Sequence, residues 1–323
     1  MSTPANLTYS AIETRVMNSL RLSTSNTTEQ AKVQNLINEV YRDIAAKSDW
    51  WWLLKRTVIN TLAKIEAGTV TATLGSTALT FTSAPAVEVT GYAFITPGDA
   101  NDSDAVYRIA SHTAAAAAAT LDAKYTGAGG AGLSYKLYRD VYTLPADTGK
   151  VLNVKRYGYL LPLNRVGIEE LSEAKLTDQS EGKPQAYSVF DLATTGDPTS
   201  ARLLQIHPYQ DLAYRLEIFY KQNLNTELTG STRPLIPDDY AQVLVYGALA
   251  RGYAIFLNDT ERSKFFQSLF NDVLALMAAQ QKEYASDKSG IAPDMTGYRK
   301  PTRLRRGGNV TLGSLFDRWP MSP

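Results

Sequence analysis

Apolar residues recur along this chain with two different periods, and the change from one to the other divides it. Val33, Leu36, Ile37, Val40, Tyr41 and Ile44 fall at i, i+3, i+4, i+7, i+8 and i+11. That unbroken stripe on a 3.6-residue period predicts an amphipathic helix. It ends near Ser48-Asp49, where the chain runs into Trp50-Trp51-Trp52. A shorter helix is predicted over Tyr9 to Leu22, where Ile12, Val16 and Leu20 repeat every four residues, and a polar loop, Ser23 to Thr28, separates the two.

From about Thr57 to Thr143 the chain is rich in Thr, Val, Gly and Tyr, and the period shortens toward two. Short strands are predicted at Thr69–Thr73, Ala78–Thr82, Tyr92–Thr96, Val106–Ala110 and Tyr135–Tyr142, with turn signals at Leu74-Gly75-Ser76, Pro97-Gly98-Asp99 and Gly127-Ala128-Gly129-Gly130. Such spacing predicts a small β-barrel or sandwich inserted into a helical frame. The six alanines at 114–119 are too short a run for a stable helix and are read as part of a strand or its loop.

A second mixed region covers roughly 150–222. Val151, Val154 and Tyr157-Gly158-Tyr159 suggest a strand and turn, Ile168 to Lys175 a short helix, and Tyr187–Leu192 and Leu203–His207 strands. Tyr214–Lys221 is the best marked, with Tyr214, Leu216, Ile218 and Tyr220 alternating with Arg215, Glu217, Phe219 and Lys221. A helix over 238–257 is apolar nearly all round, from Val243 to Leu257, which places it at the centre of a bundle or between subunits. Asn258, with Glu261 at capping-box spacing, is expected to cap a further helix over 259–285 that carries Phe266, Phe270, Val273, Met277 and Tyr284 on one side.

No periodicity continues into 286–323. That stretch holds a basic cluster (Arg299, Lys300, Arg303, Arg305, Arg306), with Leu304 inside it, and then an apolar tip, Leu315, Phe316 and Trp319. Residues 286–323 contain seven Lys/Arg and three Asp/Glu, so they carry +4 of an overall +1 and leave about −3 on the rest. A segment unable to fold on itself that keeps adhesive residues reads as a docking arm that orders on binding.

The remaining composition excludes more than it suggests. There is no cysteine, so disulfides and thiolate metal sites are absent. The opening Met-Ser-Thr-Pro-Ala-Asn has no basic and apolar leader, and no apolar run approaches membrane-spanning length, so neither a signal peptide nor a membrane helix is expected.

Candidate chemistry is sparse. Gly127, Gly129 and Gly132 match G-x-G-x-x-G, but an alternating segment follows where a helix is required, so a flexible hairpin loop is the reading. Asp99, Asn101, Asp102, Ser103 and Asp104 look like a calcium loop yet lack its glycine and its terminal glutamate. His112 and His207 have no zinc spacing, no G-x-S-x-G elbow occurs, and Glu169, Glu170 and Glu173 read as a solvated helix face. No catalytic residue, cofactor or metal is assigned. Trp50, Trp51 and Trp52 cannot all point one way; with Tyr246 and Tyr253 they are the candidates for a subunit interface.

Three stretches together resemble the head-to-tail adaptors (connectors, or head-completion proteins) of tailed bacteriophages. They are the helix Ile37–Ile44 leading to Trp50-Trp51-Trp52-Leu53, the β insert returning through Val106-Tyr107-Arg108-Ile109 to Tyr142–Asp147 and Val151–Val154, and Pro234-Leu235-Ile236-Pro237-Asp238-Asp239-Tyr240 entering the apolar helix. The resemblance implies a non-enzymatic virion protein of the neck, made in the host cytoplasm and needing no cofactor. It implies a homo-oligomeric ring, a dodecamer in that family, between the portal protein ring and a tail tube or nozzle protein. Packaged double-stranded DNA would pass through the lumen without specific binding. It further implies that the arm, Arg299 to Arg306 and Leu315 to Trp319, docks on the portal.

The expected fold is therefore α+β: N-terminal helices over 1–56, an inserted β domain over 57–143, a mixed sheet with two long helices over 144–285, and the arm from 286 on. The competing reading is a carbohydrate- or host-binding tail component using the 57–143 domain.

Overall fold

The computed structural model describes residues 7–97, 105–177, 179–191, 202–224 and 227–291. The fold is mixed α+β, with five helices and three sheets among these residues. The chain divides into two compact units, Met1–Trp52 with Thr226–Pro323 and Leu53–Asn225.

The first unit is helical. Helix α1 (Tyr9–Ser19) starts at Thr8, whose hydroxyl accepts from Ala11 N. Helix α2 (Thr27–Lys47) starts at Asn26, whose amide oxygen accepts from Thr28 N and Glu29 N at 3.1 and 3.4 Å. Each cap satisfies backbone donors that a helix start leaves without partners. The predicted stripe of α2 is buried in full: Val33, Leu36, Ile37, Val40, Tyr41 and Ile44 are at most 5% exposed.

Helix α4 (Gln242–Phe256) is preceded by a 3-10 turn at Asp238–Tyr240 and packs against α1, α2 and α5 (Thr260–Ile291). From Val243 to Tyr253 its apolar side chains are mostly spent inside its own bundle, while Ile255 and, just past its end, Leu257 stay exposed. Two glycines set how closely it approaches. A Cβ on Gly247 would lie 2.6 Å from Val40 Cγ1 and 2.9 Å from Phe270, and one on Gly252 would lie 2.7 Å from Leu20 Cδ1. The cap of α5 is not Asn258 but the next residue: Asp259 accepts from Arg262 N at 3.0 Å. Asn258 instead adopts φ +49°, the left-handed conformation that ends α4, and asparagine tolerates it where most residues do not.

The second unit holds the sheets. A seven-stranded sheet has the order β7-β2-β3-β6-β5-β4-β8, built from β2 (Val70–Thr73), β3 (Ala78–Phe81), β4 (Ala93–Ile95), β5 (Tyr107–His112), β6 (Ala118–Leu121), β7 (Gly129–Leu133) and β8 (Lys136–Tyr138). The expected barrel or sandwich is in fact one curled half-barrel. Its outer strands β7 and β8 follow one another in sequence with only Ser134 and Tyr135 between them. The curl encloses an aromatic core in which the Tyr135 ring meets Phe81 and Phe94 at 5.1 and 6.3 Å. The alanine run resolves into a turn, with Ala115 at φ +62°, followed by β6.

A three-stranded antiparallel sheet, β1-β14-β10, comprises β1 (Leu54–Asn60), β10 (Thr148–Arg156) and β14 (Arg215–Gln222). A four-stranded sheet has the order β11-β12-β13-β9, from β9 (Val141–Thr143), β11 (Asn164–Arg165), β12 (Ala186–Asp191) and β13 (Arg202–His207); only its short β11–β12 pair is parallel. Both sheets contribute to one core around Tyr142, Val154, Tyr187, Ile206, Leu216 and Ile218. The short helix α3 (Ile168–Thr177) falls where it was predicted.

Candidate functional site

The tryptophan run is divided by its geometry. After Ser48 ends α2 in an extended conformation, residues 51–53 form a single 3-10 turn that sends successive rings in different directions. Trp50 is 3% exposed, and its indole N–H donates to Ile44 O at 2.5 Å. Trp51 and Trp52 are half-buried. Trp51 meets Trp50 and Tyr240 edge-on at 6.3 and 6.2 Å, and its backbone N–H donates to Gln281 Oε1 at 2.8 Å. Trp52 stacks on Tyr41 at 6.4 Å. Of the three, one ring lies in the core and two keep an open edge.

Tyr246 and Tyr253, seven residues apart on α4, both stack on Phe266 of α5, at 6.4 and 5.4 Å. Tyr253 is buried and donates to Ser19 O at 2.9 Å. Tyr246 is half-buried and donates to Gln242 Oε1 at 2.9 Å. The arm residues Arg299, Lys300, Arg303, Leu304, Arg305, Arg306, Leu315, Phe316 and Trp319 lie outside the described residues, as does the acidic loop Asp99–Asp104.

The second unit contains a polar centre that sequence reasoning missed. Asp140, between β8 and β9, is fully buried. Its carboxylate accepts from both terminal nitrogens of Arg108 at 2.5 and 2.8 Å, from Lys175 Nζ, and from Gln205 Nε2 at 3.2 Å. Burial alone would raise this carboxyl, but Lys175 and Arg108 outweigh it and hold the group well below the usual carboxylate range. The centre joins β5, α3 and β13. The available signal was an aspartate interrupting an otherwise strand-like Tyr135–Tyr142 run.

The charged members of that centre are already engaged with one another. Beside it lies a cleft of about 630 Å³ lined by Glu88, Arg108, Arg139, Phe190 and Gln205. Within that lining Arg108 is committed to Asp140. His112 is 7% exposed and engaged on both ring nitrogens, Nδ1 with Val89 N at 3.3 Å and Nε2 with Ala116 O at 3.0 Å. Glu169, Glu170 and Glu173 lie on the exposed side of α3, while Lys175 turns inward to Asp140. The glycine run expected as a hairpin loop is the edge strand β7, in which a Cβ on Gly129 would meet Ala72 O at 2.8 Å. Among the described residues no group of three His, Asp or Glu side chains could hold a metal ion, and no helix is long and apolar enough to cross a membrane.

A further surface feature follows β10. Tyr157, Tyr159, Leu160 and Leu161 are 52%, 48%, 82% and 61% exposed. Arg156 stacks on Tyr159 at 3.9 Å and Arg215 on Tyr157 at 4.3 Å, so the loop is braced at its base. Four exposed apolar side chains within five residues are what a protein-binding surface presents.

Comparison with known families places part of the chain in one of them. The SU10 adaptor protein family model covers residues 100–294, well over half of the chain. No curated protein matches the chain.

Proposed function

Since the chain belongs to the SU10 adaptor protein family and is thereby a phage head-to-tail adaptor of the virion neck, binding portal and tail proteins, we propose that it does so as a closed dodecameric ring that continues the DNA channel. The match over residues 100–294 supports this reading, because it takes in the four-stranded sheet and the two C-terminal helices together. A ring requires heterologous contacts that close on themselves. Trp51, Trp52 and Tyr246, which keep open edges within one copy, are proposed as part of those contacts, with Trp50 and Tyr253 supporting them from beneath. The exposed loop Tyr157–Leu161 is a second contact of the same kind.

The segment Arg299–Arg306 with Leu315–Trp319 is proposed as the portal-docking arm. A segment that orders only on binding would confine ring formation to places where a portal is present. Duplex DNA passes through the lumen in the course of genome ejection, and the opposite face receives a tail tube or nozzle protein.

Native mass spectrometry of the purified chain, alone and mixed with its cognate portal ring, tests this. The expected result is a stoichiometric ring on the portal. A chain that ignores the portal and assembles by itself into a compact trimer would overturn the ring reading.

A further inference from the structure

The four-stranded sheet ends in an open border. In the order β11-β12-β13-β9, β9 has a neighbour on one side. The register sets Val141, Tyr142 and Thr143 opposite Gln205, Leu204 and Leu203. The bonds that flank this pairing fix its alternation: Ile206 N–H donates to Asp140 O at 3.0 Å, and Leu144 N–H donates to Arg202 O at 2.8 Å. An antiparallel strand turns the backbone groups of every second residue toward the same neighbour. Tyr142 therefore faces β13, while Val141 and Thr143 direct their N–H and C=O groups the other way. Among the described residues none pairs with those outward groups.

The side chains of the same two residues line the cleft of about 630 Å³. Across the sheet that face continues from Thr143 to Leu203 and Phe190, and from Val141 to Gln205. Tyr142 and Leu204 point to the opposite side, into the core. Val141, Leu203 and Phe190 are half-buried, so the cleft has an apolar floor that is not fully covered. Arg139, two residues before Val141, lines the same cleft and lies over the Tyr142 ring at 5.2 Å. Unlike Arg108, it has no carboxylate partner among the described residues.

We propose that β9 takes an extended peptide segment of a partner protein as a fifth strand, with a carboxylate side chain of that segment set against Arg139. The outward groups of Val141 and Thr143 lie about 7 Å apart, at about 3.4 Å per residue, and only another extended backbone matches donors and acceptors repeated at that interval. Cross-strand neighbours share a face, so the residue opposite Val141 would rest on the apolar floor and the one opposite Arg139 would meet a cation. Antiparallel addition runs the segment from Thr143 toward Arg139. The motif it selects is a small or hydroxyl residue, an apolar residue and an acidic residue, each two apart. The inference goes beyond the ring reading and does not depend on it, since it is tested on the free chain.

The experiment is fluorescence anisotropy of the full chain with a labelled, C-terminally amidated Thr-Ser-Val-Ser-Glu peptide, followed by amide hydrogen exchange. Binding is expected to slow exchange at the Val141 and Thr143 amides. Methylating the backbone nitrogen of the probe's valine removes one ladder bond and should abolish binding. Arg139→Gln should weaken binding about fivefold with an unchanged thermal melt, and Arg139→Lys should restore most of it. Among the described residues that line the cleft, Glu88 is the one carboxylate. Glu88→Gln should tighten binding, a gain that mere damage to the fold cannot produce. Three results would overturn the proposal: no binding up to about 1 mM peptide, equal binding of the N-methylated probe, or equal binding of a probe with lysine in place of glutamate.

Discussion

Arg108 and Asp140 form a two-point ion pair, at 2.5 and 2.8 Å, across the place where the chain leaves the half-barrel for the four-stranded sheet. The carboxylate is wholly buried and is shared with Lys175. Removing one member of a buried charged cluster costs more than the cluster's net contribution, because the others stay in low dielectric without compensation. Asp140→Asn should therefore destabilise the second unit by about 3–5 kcal/mol in denaturant unfolding. A loss below about 1 kcal/mol would show that solvent reaches the site and screens it.

Acid should weaken the same unit. Glu181 pairs with Lys64 at 2.9 Å and with Lys136, and accepts from Tyr138 Oη at 2.7 Å. Burial would raise its carboxyl, but Lys136 and Lys64 bring it down from the ordinary 4.5 to about 2. A carboxyl depressed in the folded state binds fewer protons than in the unfolded chain, so its stabilisation is complete above the unfolded value and lost as pH falls toward about 2. We expect a decline on the order of 2 kcal/mol over that window, reduced in Glu181→Gln. An identical acid profile for the variant would assign the decline to other groups.

In the bundle, Gly247→Val should cost about 2–3 kcal/mol despite the better helix propensity of the new residue. The added carbons would fall on Val40 and Phe270, and Val40 has little rotamer freedom within α2. Thermal unfolding reads this directly. An unchanged or raised midpoint would mean that α4 can shift away from α2 freely.

Asn38 is 5% exposed and brackets one residue of the returning chain: its Oδ1 accepts from Leu228 N at 2.9 Å and its Nδ2 donates to Leu228 O at 3.4 Å. Asn38→Ala leaves two buried backbone groups without partners, for about 2 kcal/mol. Hydrogen exchange at the Leu228 amide should rise well before global unfolding; continued protection there would place the anchor elsewhere.

Truncation after residue 286 separates folding from docking. The shortened chain is expected to keep its circular dichroism and melting behaviour and to lose binding to the portal ring. In the full chain that binding should weaken as salt rises, since exposed charges are screened over about 8–10 Å at ordinary ionic strength. Salt-independent docking would transfer the contact from Arg299–Arg306 to the Leu315–Trp319 tip.

The helices and best strands were legible because large side chains mark their period. The α2 stripe and the alternation of Tyr214–Lys221 reappear as buried faces. β6 and β7 were not legible, since alanine and glycine give no contrast between inside and outside. Tyr135–Tyr142 reads as one strand, but it is two strands in different sheets, parted at Arg139-Asp140. The pattern of eight residues could not report that Arg108 and Lys175, distant in sequence, make a buried aspartate tolerable there.

The half-barrel ends in two short borders, β7 and β8, carried by one continuous stretch of chain with Tyr135 buried at its middle. Open sheet borders are where foreign chains add strands and where swollen, fibrous aggregates begin. Here one border is kinked by glycines and the other is three residues long, with Leu137 bridged to Ile65 on its outer side. Copies lying side by side therefore meet little template at these two borders for exchanging strands.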